Sequence, residues 1–265
     1  MSSFNFQEKC LQIRHDILDI FWGGQRGHIP SAFSLVEILV TLYYQKANLK
    51  RDKILLSKGH GCMALYAILS DLGYFPRSEF KKFCSTTGIL GGHPTRKKVP
   101  GVEISSGSLG HGPSIAVGMA INLKSTKGNV YCVLGDGECN EGSVWEAALS
   151  ANKNGLNNLT FIIDNNKQQS YGATEEVLPL EPFNDKWSSF GFNTKEVDLI
   201  KNPQCLKGAL EQDLNIPTAI ICHTRKGQGS KVLERNLNWH HLNGISAETF
   251  NQIRNSLTLL LEKNL

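Results

Sequence analysis

The chain has 265 residues, 40% hydrophobic and 20% charged, the balance of an ordinary soluble globular protein long enough to bury a sizeable core. A net charge of +4 with both signs interspersed suits an anionic small-molecule ligand and leaves no footprint for nucleic acid. Seven cysteines without a Cys-x-x-Cys pair suggest neither a disulfide framework nor a zinc site, and the absence of a targeting pattern or a long apolar run predicts a cytoplasmic protein with no membrane span.

In chain order, residues 7–22 read as a helix with Leu11, Leu18 and Phe21 among its apolar positions, broken by Gly23-Gly24-Gln25-Arg26-Gly27. Residues 34–44 predict a second helix, with Ser34 and Glu37 at capping-box spacing. A short strand at 53–56 ends in Ser57-Lys58-Gly59-His60-Gly61, and residues 63–72 return to helix. Residues 88–114 are rich in Gly, Pro and Ser and lack periodicity, and so long an irregular stretch in a compact domain is usually functional. A helix follows at 115–123, with Ile115, Met119 and Leu123 on one stripe. The run from Val130 to Leu134 reads as a buried strand, and the helix beyond it carries a small-residue face of Val144, Ala147, Ala148 and Ala151. Residues 159–163 repeat the buried-strand pattern, and further strands are predicted at 194–197 and 219–222. Residues 247–261 place Phe250, Ile253, Leu257 and Leu260 at helical spacing, as in a docked terminal helix. No repeat, low-complexity tract or linker divides the chain. The alternation predicts one α/β domain, a mostly parallel central sheet with helices on both faces.

The chemistry gathers after the two buried strands, at Gly135-Asp136-Gly137-Glu138 and at Asp164-Asn165-Asn166. Parallel strands would deliver Asp136 and Asn166 to one sheet edge, where open α/β sheets bind ligands. A carboxylate, an amide oxygen and nearby backbone carbonyls suit magnesium, a hard ion that favours oxygen and phosphate. Gly137 would let the backbone approach a phosphate closely. A lone Gly-Asp-Gly can be only a turn, but the pair is the pattern of thiamine diphosphate enzymes.

Other motifs follow in order: Gly27-His28, Ser57-Lys58-Gly59-His60, Gly91-Gly92-His93-Pro94, Ser106-Gly107-Ser108-Leu109-Gly110-His111-Gly112, Glu141-Gly142, Lys226-Gly227-Gln228-Gly229 and Trp239-His240. On these the chain resembles transketolase, specifically its N-terminal diphosphate-binding third, nearly end to end. The resemblance implies a thiamine diphosphate-binding fold in a single domain over residues 1–265, without the pyrimidine-binding and C-terminal domains of a full transketolase. It implies thiamine diphosphate with Mg2+ (or Ca2+ or Mn2+) as cofactors. The activity implied is transfer of a two-carbon ketol unit from a ketose phosphate donor to an aldose. In that family the pyrimidine-binding domain brings an essential glutamate and phosphate-gripping arginines. This chain is therefore expected to work only with a C-terminal transketolase subunit, in an α2β2 assembly.

By the same resemblance, Asp136, Asn166 and the backbone carbonyl of Gln168 would hold the metal, with Gly135, Gly137, Glu138 and Glu141 in the same cofactor segment. Gln168 replaces a usual aliphatic residue, which a carbonyl ligand tolerates. His60 and His240 would lie near the diphosphate and thiazolium. His28 and His93 would face the donor sugar, where imidazoles can shuttle protons to hydroxyls. Gly107 and Leu109 belong to the loop that meets the aminopyrimidine, and His111 stands where many relatives carry glutamine. Glu141 and Glu146 match two acids between paired active sites, although acids in a first helical turn also simply favour its positive end. Two departures stand out. Ile29-Pro30-Ser31-Ala32 replaces a more glycine-rich turn expected to border the donor pocket, and His241 stands where relatives often have glycine. The alternatives are another enzyme of the superfamily, such as a 2-oxoacid dehydrogenase α subunit or a deoxyxylulose phosphate synthase fragment; a transketolase-like subunit for an unusual sugar; and a non-catalytic cofactor-binding subunit. The Gly-His-Pro and Leu-Gly-His-Gly loops disfavour the first, and intact Asp136, Asn166 and the four histidines disfavour the last.

Overall fold

The computed structural model describes residues 4–211, 215–234, 236 and 239–262. In chain order the elements are α1 (Phe6–Gly24), β1 (Arg26–Gly27), α2 (Ile29–Phe33), α3 (Val36–Val40), β2 (Lys53–Leu56), α4 (Cys62–Asp71), α5 (His111–Leu123), β3 (Val130–Gly135), α6 (Gly142–Lys153), β4 (Leu159–Asn165), α7 (Thr174–Val177), α8 (Phe183–Ser189), β5 (Asn193–Asp198), α9 (Cys205–Ala209), β6 (Thr218–His223), β7 (Leu242–Asn243) and α10 (Ala247–Glu262).

Among the described residues, β2, β3, β4, β6 and β5 lie in that order in one wholly parallel sheet. Every residue of β3 and β4 is buried, which is why both read as unbroken apolar runs rather than as alternation. The alternation survives in direction. Tyr131, Val133, Ile162, Ile220 and Cys222 enter the core shared with α1 to α4 and α10. Cys132, Leu134, Phe161, Ile163 and Ile221 enter the opposite core, with α5, α6 and α8. Each such large aliphatic side chain contributes about 1.5–3 kcal/mol by leaving water. The edge strand β5 carries Lys195 and Glu196, charges that discourage pairing with another sheet. The expected alternation of strands and helices around one parallel sheet is therefore observed, and no helix among the described residues is long and apolar enough to cross a membrane.

Three local expectations fail. The capping box at Ser34 and Glu37 does not form. Ser34 Oγ donates to Asp164 Oδ2 at 2.6 Å, and Glu37 accepts from Arg14 Nη2 at 2.7 and 2.9 Å. Distant charged partners win both side chains. The helix expected over residues 34–44 starts two residues late and changes type: α3 runs without a break into a π-helical segment at Thr41–Lys46. Finally, Ile29-Pro30-Ser31-Ala32 is not an open turn at a pocket. It forms α2 with Pro30 in the first turn, all five residues of the helix buried against α1 and α4. Its role is support, since Pro30 O accepts from Gly227 N at 2.9 Å. The last helix docks through Phe250, Ile253 and Leu257 as expected, while the side chain of Leu260 lies outside the described residues.

Residues 84–110 carry no regular element, so the irregular stretch expected over 88–114 is observed except at its end, where α5 starts at His111 rather than at Ile115. The stretch is nonetheless held by internal bonds such as Ser106 N to Pro94 O (3.2 Å) and by buried Leu90, Val99, Val102 and Ile104. Its inner end faces the C-terminal ends of the parallel strands, where β2, β3, β4 and β6 release Ser57-Lys58, Asp136, Asn166 and Thr224-Arg225-Lys226.

Candidate active site

The register of β3 and β4 pairs Gly135 with Asp164, so the residues that follow them emerge side by side. Asp136 Oδ1 accepts from Gly137 N at 2.8 Å, and Oδ2 accepts from Lys167 N at 2.7 Å and from Thr174 Oγ1 at 3.1 Å. Burial pushes its carboxyl pKa up, with the nearby Asp164 adding to the effect and the Gly137 N–H and Lys58 opposing it. Asn166 is oriented from both sides. Its Nδ2 donates to Asp164 Oδ2 at 3.3 Å, and its Oδ1 accepts from Gln168 N at 3.1 Å. Beneath both residues lies Asp164, fully buried, which accepts from Lys58 Nζ, Thr224 Oγ1, Ser34 Oγ and Asn166 Nδ2. The Lys58–Asp164 ion pair is thus built into the frame below the site.

Lys226 comes from the end of β6 and is nearly as buried. Its Nζ donates to Gln168 O at 3.2 Å, to Gln169 O at 3.1 Å and to His240 Nδ1 at 2.6 Å. Burial lowers its pKa to about 8, helped by the Lys58 charge and opposed by Asp136 and Asp164. The chain turns sharply after it at Gly227 (φ 80°), where a Cβ would meet Leu233 O at 2.6 Å. In the sequence both lysines stand only as letters of their motifs. The signal that points to them is that each closely follows a sheet strand.

These residues fit a hard divalent cation with a diphosphate. Asp136, Asn166 Oδ1 and the Gln168 carbonyl offer only oxygen. The Gln168 carbonyl accepts from the Lys226 ammonium, so it already faces a positive charge. Gln168 Oε1 and Gln169 Nε2 are buried without a hydrogen-bond partner beside it, a departure from the rule that buried polar atoms are satisfied. Among the described residues no group of three or more His, Cys, Asp or Glu could hold a metal, so an ion here would rely on amide, backbone and cofactor oxygens.

Above this floor stands a wall of imidazoles. Ring centroids of His28 lie 5.5 Å from His60, 6.3 Å from His93, 5.2 Å from His240 and 4.8 Å from His241, and His60 lies 6.4 Å from His240. Only His240 among them hydrogen-bonds a described residue, through Lys226. Burial, followed by the neighbouring histidines, lowers the pKa of His28 to about 3. Burial and Lys226 lower that of His240 to about 4. Burial also lowers His60 and His93, so these four rings are neutral near pH 7. Gly107 (φ 140°) lies against this wall: a Cβ there would come within 3.0 Å of the His93 ring. Half-buried Leu109 follows in the same loop.

Other expected residues stand apart from this cluster. Glu138 is engaged by the protein on both oxygens, Oε1 by Ser57 Oγ and Gly110 N (2.9 Å), Oε2 by Gly135 N (3.2 Å). It braces the loops instead of facing a ligand. His111 is exposed at the first residue of α5 and makes no ring contact with the other histidines. Glu141 is the N-cap residue of α6 but makes no side-chain cap, and Glu146 lies beyond the first turn. The helix-end explanation therefore covers only the first of these two exposed acids. Gly137 is packed by Gln169, whose side chain lies 2.9 Å from the position of a Cβ.

Residues 8–263 match the family model described as transketolase, thiamine diphosphate binding domain. The chain is 35% identical over 263 residues to one of the subunits of the apulose-4-phosphate transketolase of Phocaeicola vulgatus, an alignment covering 94% of this chain and 92% of that protein. It is 36% identical over 229 residues to a 6-deoxy-6-sulfo-D-fructose transketolase subunit of Clostridium sp., covering 82% and 83%. Among solved structures, the transketolase from Leishmania mexicana superposes with a TM-score of 0.87 at 26% identity, over 98% of this chain and 45% of that one. The chain thus spans less than half of that solved transketolase but most of each of the two bacterial subunits.

Proposed function

This chain is a member of the transketolase family, and on that basis we propose that it is the diphosphate-binding subunit of a two-chain enzyme transferring a two-carbon ketol unit from a ketose donor to an aldose acceptor. The observation that carries this reading is one sheet edge joining an oxygen-only cation site to a wall of neutral imidazoles with almost no protein partners. Thiamine diphosphate, when bound, supplies the carbanion chemistry. Asp136, Asn166 and the Gln168 carbonyl hold Mg2+, or Ca2+ or Mn2+ in its place. His60 and His240 meet the diphosphate and the thiazolium, Lys226 braces His240 and the Gln168 carbonyl behind them, and the backbone of Gly107 and Leu109 meets the aminopyrimidine. His28 and His93 accept and return protons at donor hydroxyl oxygens. Their neutral state leaves each ring with one nitrogen free to accept.

The partner is a C-terminal transketolase subunit, and the assembly is α2β2. That partner closes the imidazole wall from its exposed side, where His93 and His241 stand. All seven cysteines are free, which fits a reducing, cytoplasmic setting. The two bacterial relatives carry the sugars apulose 4-phosphate and 6-deoxy-6-sulfo-D-fructose in their names. They favour a specialised sugar over a common one as the donor of this enzyme.

Co-expression with the partner and assay against ketose phosphates tests the reading. The pair is expected to transfer the ketol unit and the isolated chain to show no turnover. Turnover by the chain alone, or a pair that binds no thiamine diphosphate, would overturn it.

A further inference from the structure

We propose that His241 is a specificity-determining residue, its ring hydrogen-bonding a hydroxyl of the donor sugar beyond the transferred ketol unit. The inference rests on the ketol-transfer reading above and adds to it a residue that the family pattern does not require.

The position of His241 is fixed by backbone geometry. The two-stranded ribbon of β1 and β7 pairs Arg26 with Asn243 and Gly27 with Leu242 in antiparallel register. One step further along the same register, His28 stands opposite His241. The ribbon is pinned by Gln25, whose O accepts from Gly244 N at 2.7 Å and whose Oε1 accepts from Ile245 N at 3.1 Å. The result is the closest ring pair in the histidine wall, 4.8 Å between centroids.

Depth assigns the part of the substrate that His241 meets. Lys226 is buried at the diphosphate end, His28, His60 and His240 are half-buried, and His93 and His241 are exposed. A donor whose reacting carbons lie at the bottom of this column brings its later carbons past the exposed pair. The His241 ring makes no hydrogen bond to a described residue, so none of these residues consumes its donor or acceptor. An imidazole offers one of each, as a sugar hydroxyl does. The surrounding rings of His28, His93 and His240 are kept neutral, and the Lys226 ammonium is spent on two carbonyls and His240. That mouth suits an uncharged hydroxyl better than an anion.

The test compares two donors in the assembled two-subunit enzyme. One is a ketose phosphate that the wild type accepts. The other is hydroxypyruvate, which carries the ketol unit and no hydroxyl beyond it. His241→Gly is expected to lower the ketose-to-hydroxypyruvate ratio of kcat/KM about fivefold, the effect of one hydrogen bond to an uncharged group, through KM of the ketose. His241→Asn, which keeps a donor and an acceptor, recovers part of the ratio. An unchanged ratio, whether both donors suffer equally or neither does, overturns the proposal. A wild-type pair that uses neither donor removes the functional reading itself, and this inference with it.

Discussion

At the tips of β3 and β4 the charged side chains are engaged by the protein, whereas the rings of His28, His60, His93 and His241 beside them make no hydrogen bond to a described residue. Asp164 alone accepts from four side chains, three of them contributed by distant parts of the chain. The floor is finished before any ligand arrives, and its geometry is part of the stability of the fold. The wall is held in place by its backbone, and its polar atoms remain for a ligand. Preorganisation therefore resides where charge must be fixed, and freedom where a substrate must be met.

The largest expected effect breaks the floor. Lys58→Met leaves Asp164 buried without its cation, and removing one partner of such a pair costs about 3–5 kcal/mol. Ser34, Thr224 and Asn166 still donate to Asp164, which places the loss near about 3 kcal/mol, read from urea unfolding of the chain. An exposed imidazole such as His93 should shift the same curve far less on replacement by Asn. Equal losses at the two positions would erase the distinction between floor and wall.

Next in size is a separation of binding from stability at Asp136. Asp136→Ala should lower thiamine diphosphate affinity of the assembled pair about a hundredfold when titrated with Mg2+, as loss of a metal ligand does at least as strongly as loss of an outer-shell group. The unfolding midpoint should move less than in Lys58→Met, because the hydrogen bonds that Asp136 accepts come from two backbone N–H groups and a hydroxyl, with no ion pair to a described residue. Unchanged cofactor affinity would remove Asp136 from the site.

Much of the floor is legible in the sequence because buried parallel strands announce themselves as apolar runs, and Gly135-Asp136-Gly137 and Asn166 follow two of them directly. Asp164 is visible there only as a letter in a motif. Its partners Lys58, Ser34 and Thr224 lie 106, 130 and 60 residues away, a separation that no local pattern carries. Ser34 shows the same limit from the other side: its capping-box spacing is real, but its backbone is helical (φ −64°, ψ −20°) rather than extended as at an N-cap, and its hydroxyl donates to the buried Asp164. Glu138 reads as a cofactor residue because it sits in the motif, while its oxygens are consumed by Ser57, Gly110 and Gly135. The ribbon that sets His241 against His28 has two residues per strand, too few to show any periodicity.

The smallest effect separates the two regions by pH. His28 is half-buried and its folded-state pKa is about 3, against an ordinary value of 6.5. The unfolded chain therefore takes up this proton first as the solution is acidified. The contribution of neutral His28 to stability is complete above about pH 6.5 and is lost progressively as pH falls from there toward about 3. At pH 5 the loss attributable to this ring is on the order of 1 kcal/mol, discounted for its partial exposure. His28→Asn has no proton to gain, so its unfolding free energy should fall less than that of the wild type between pH 7 and pH 5. Chemical denaturation of the two proteins at both pH values measures the difference. Parallel curves would mean that His28 is as well hydrated in the folded chain as in the unfolded one, and the wall would lose the dry, neutral character on which its fit to sugar hydroxyls depends.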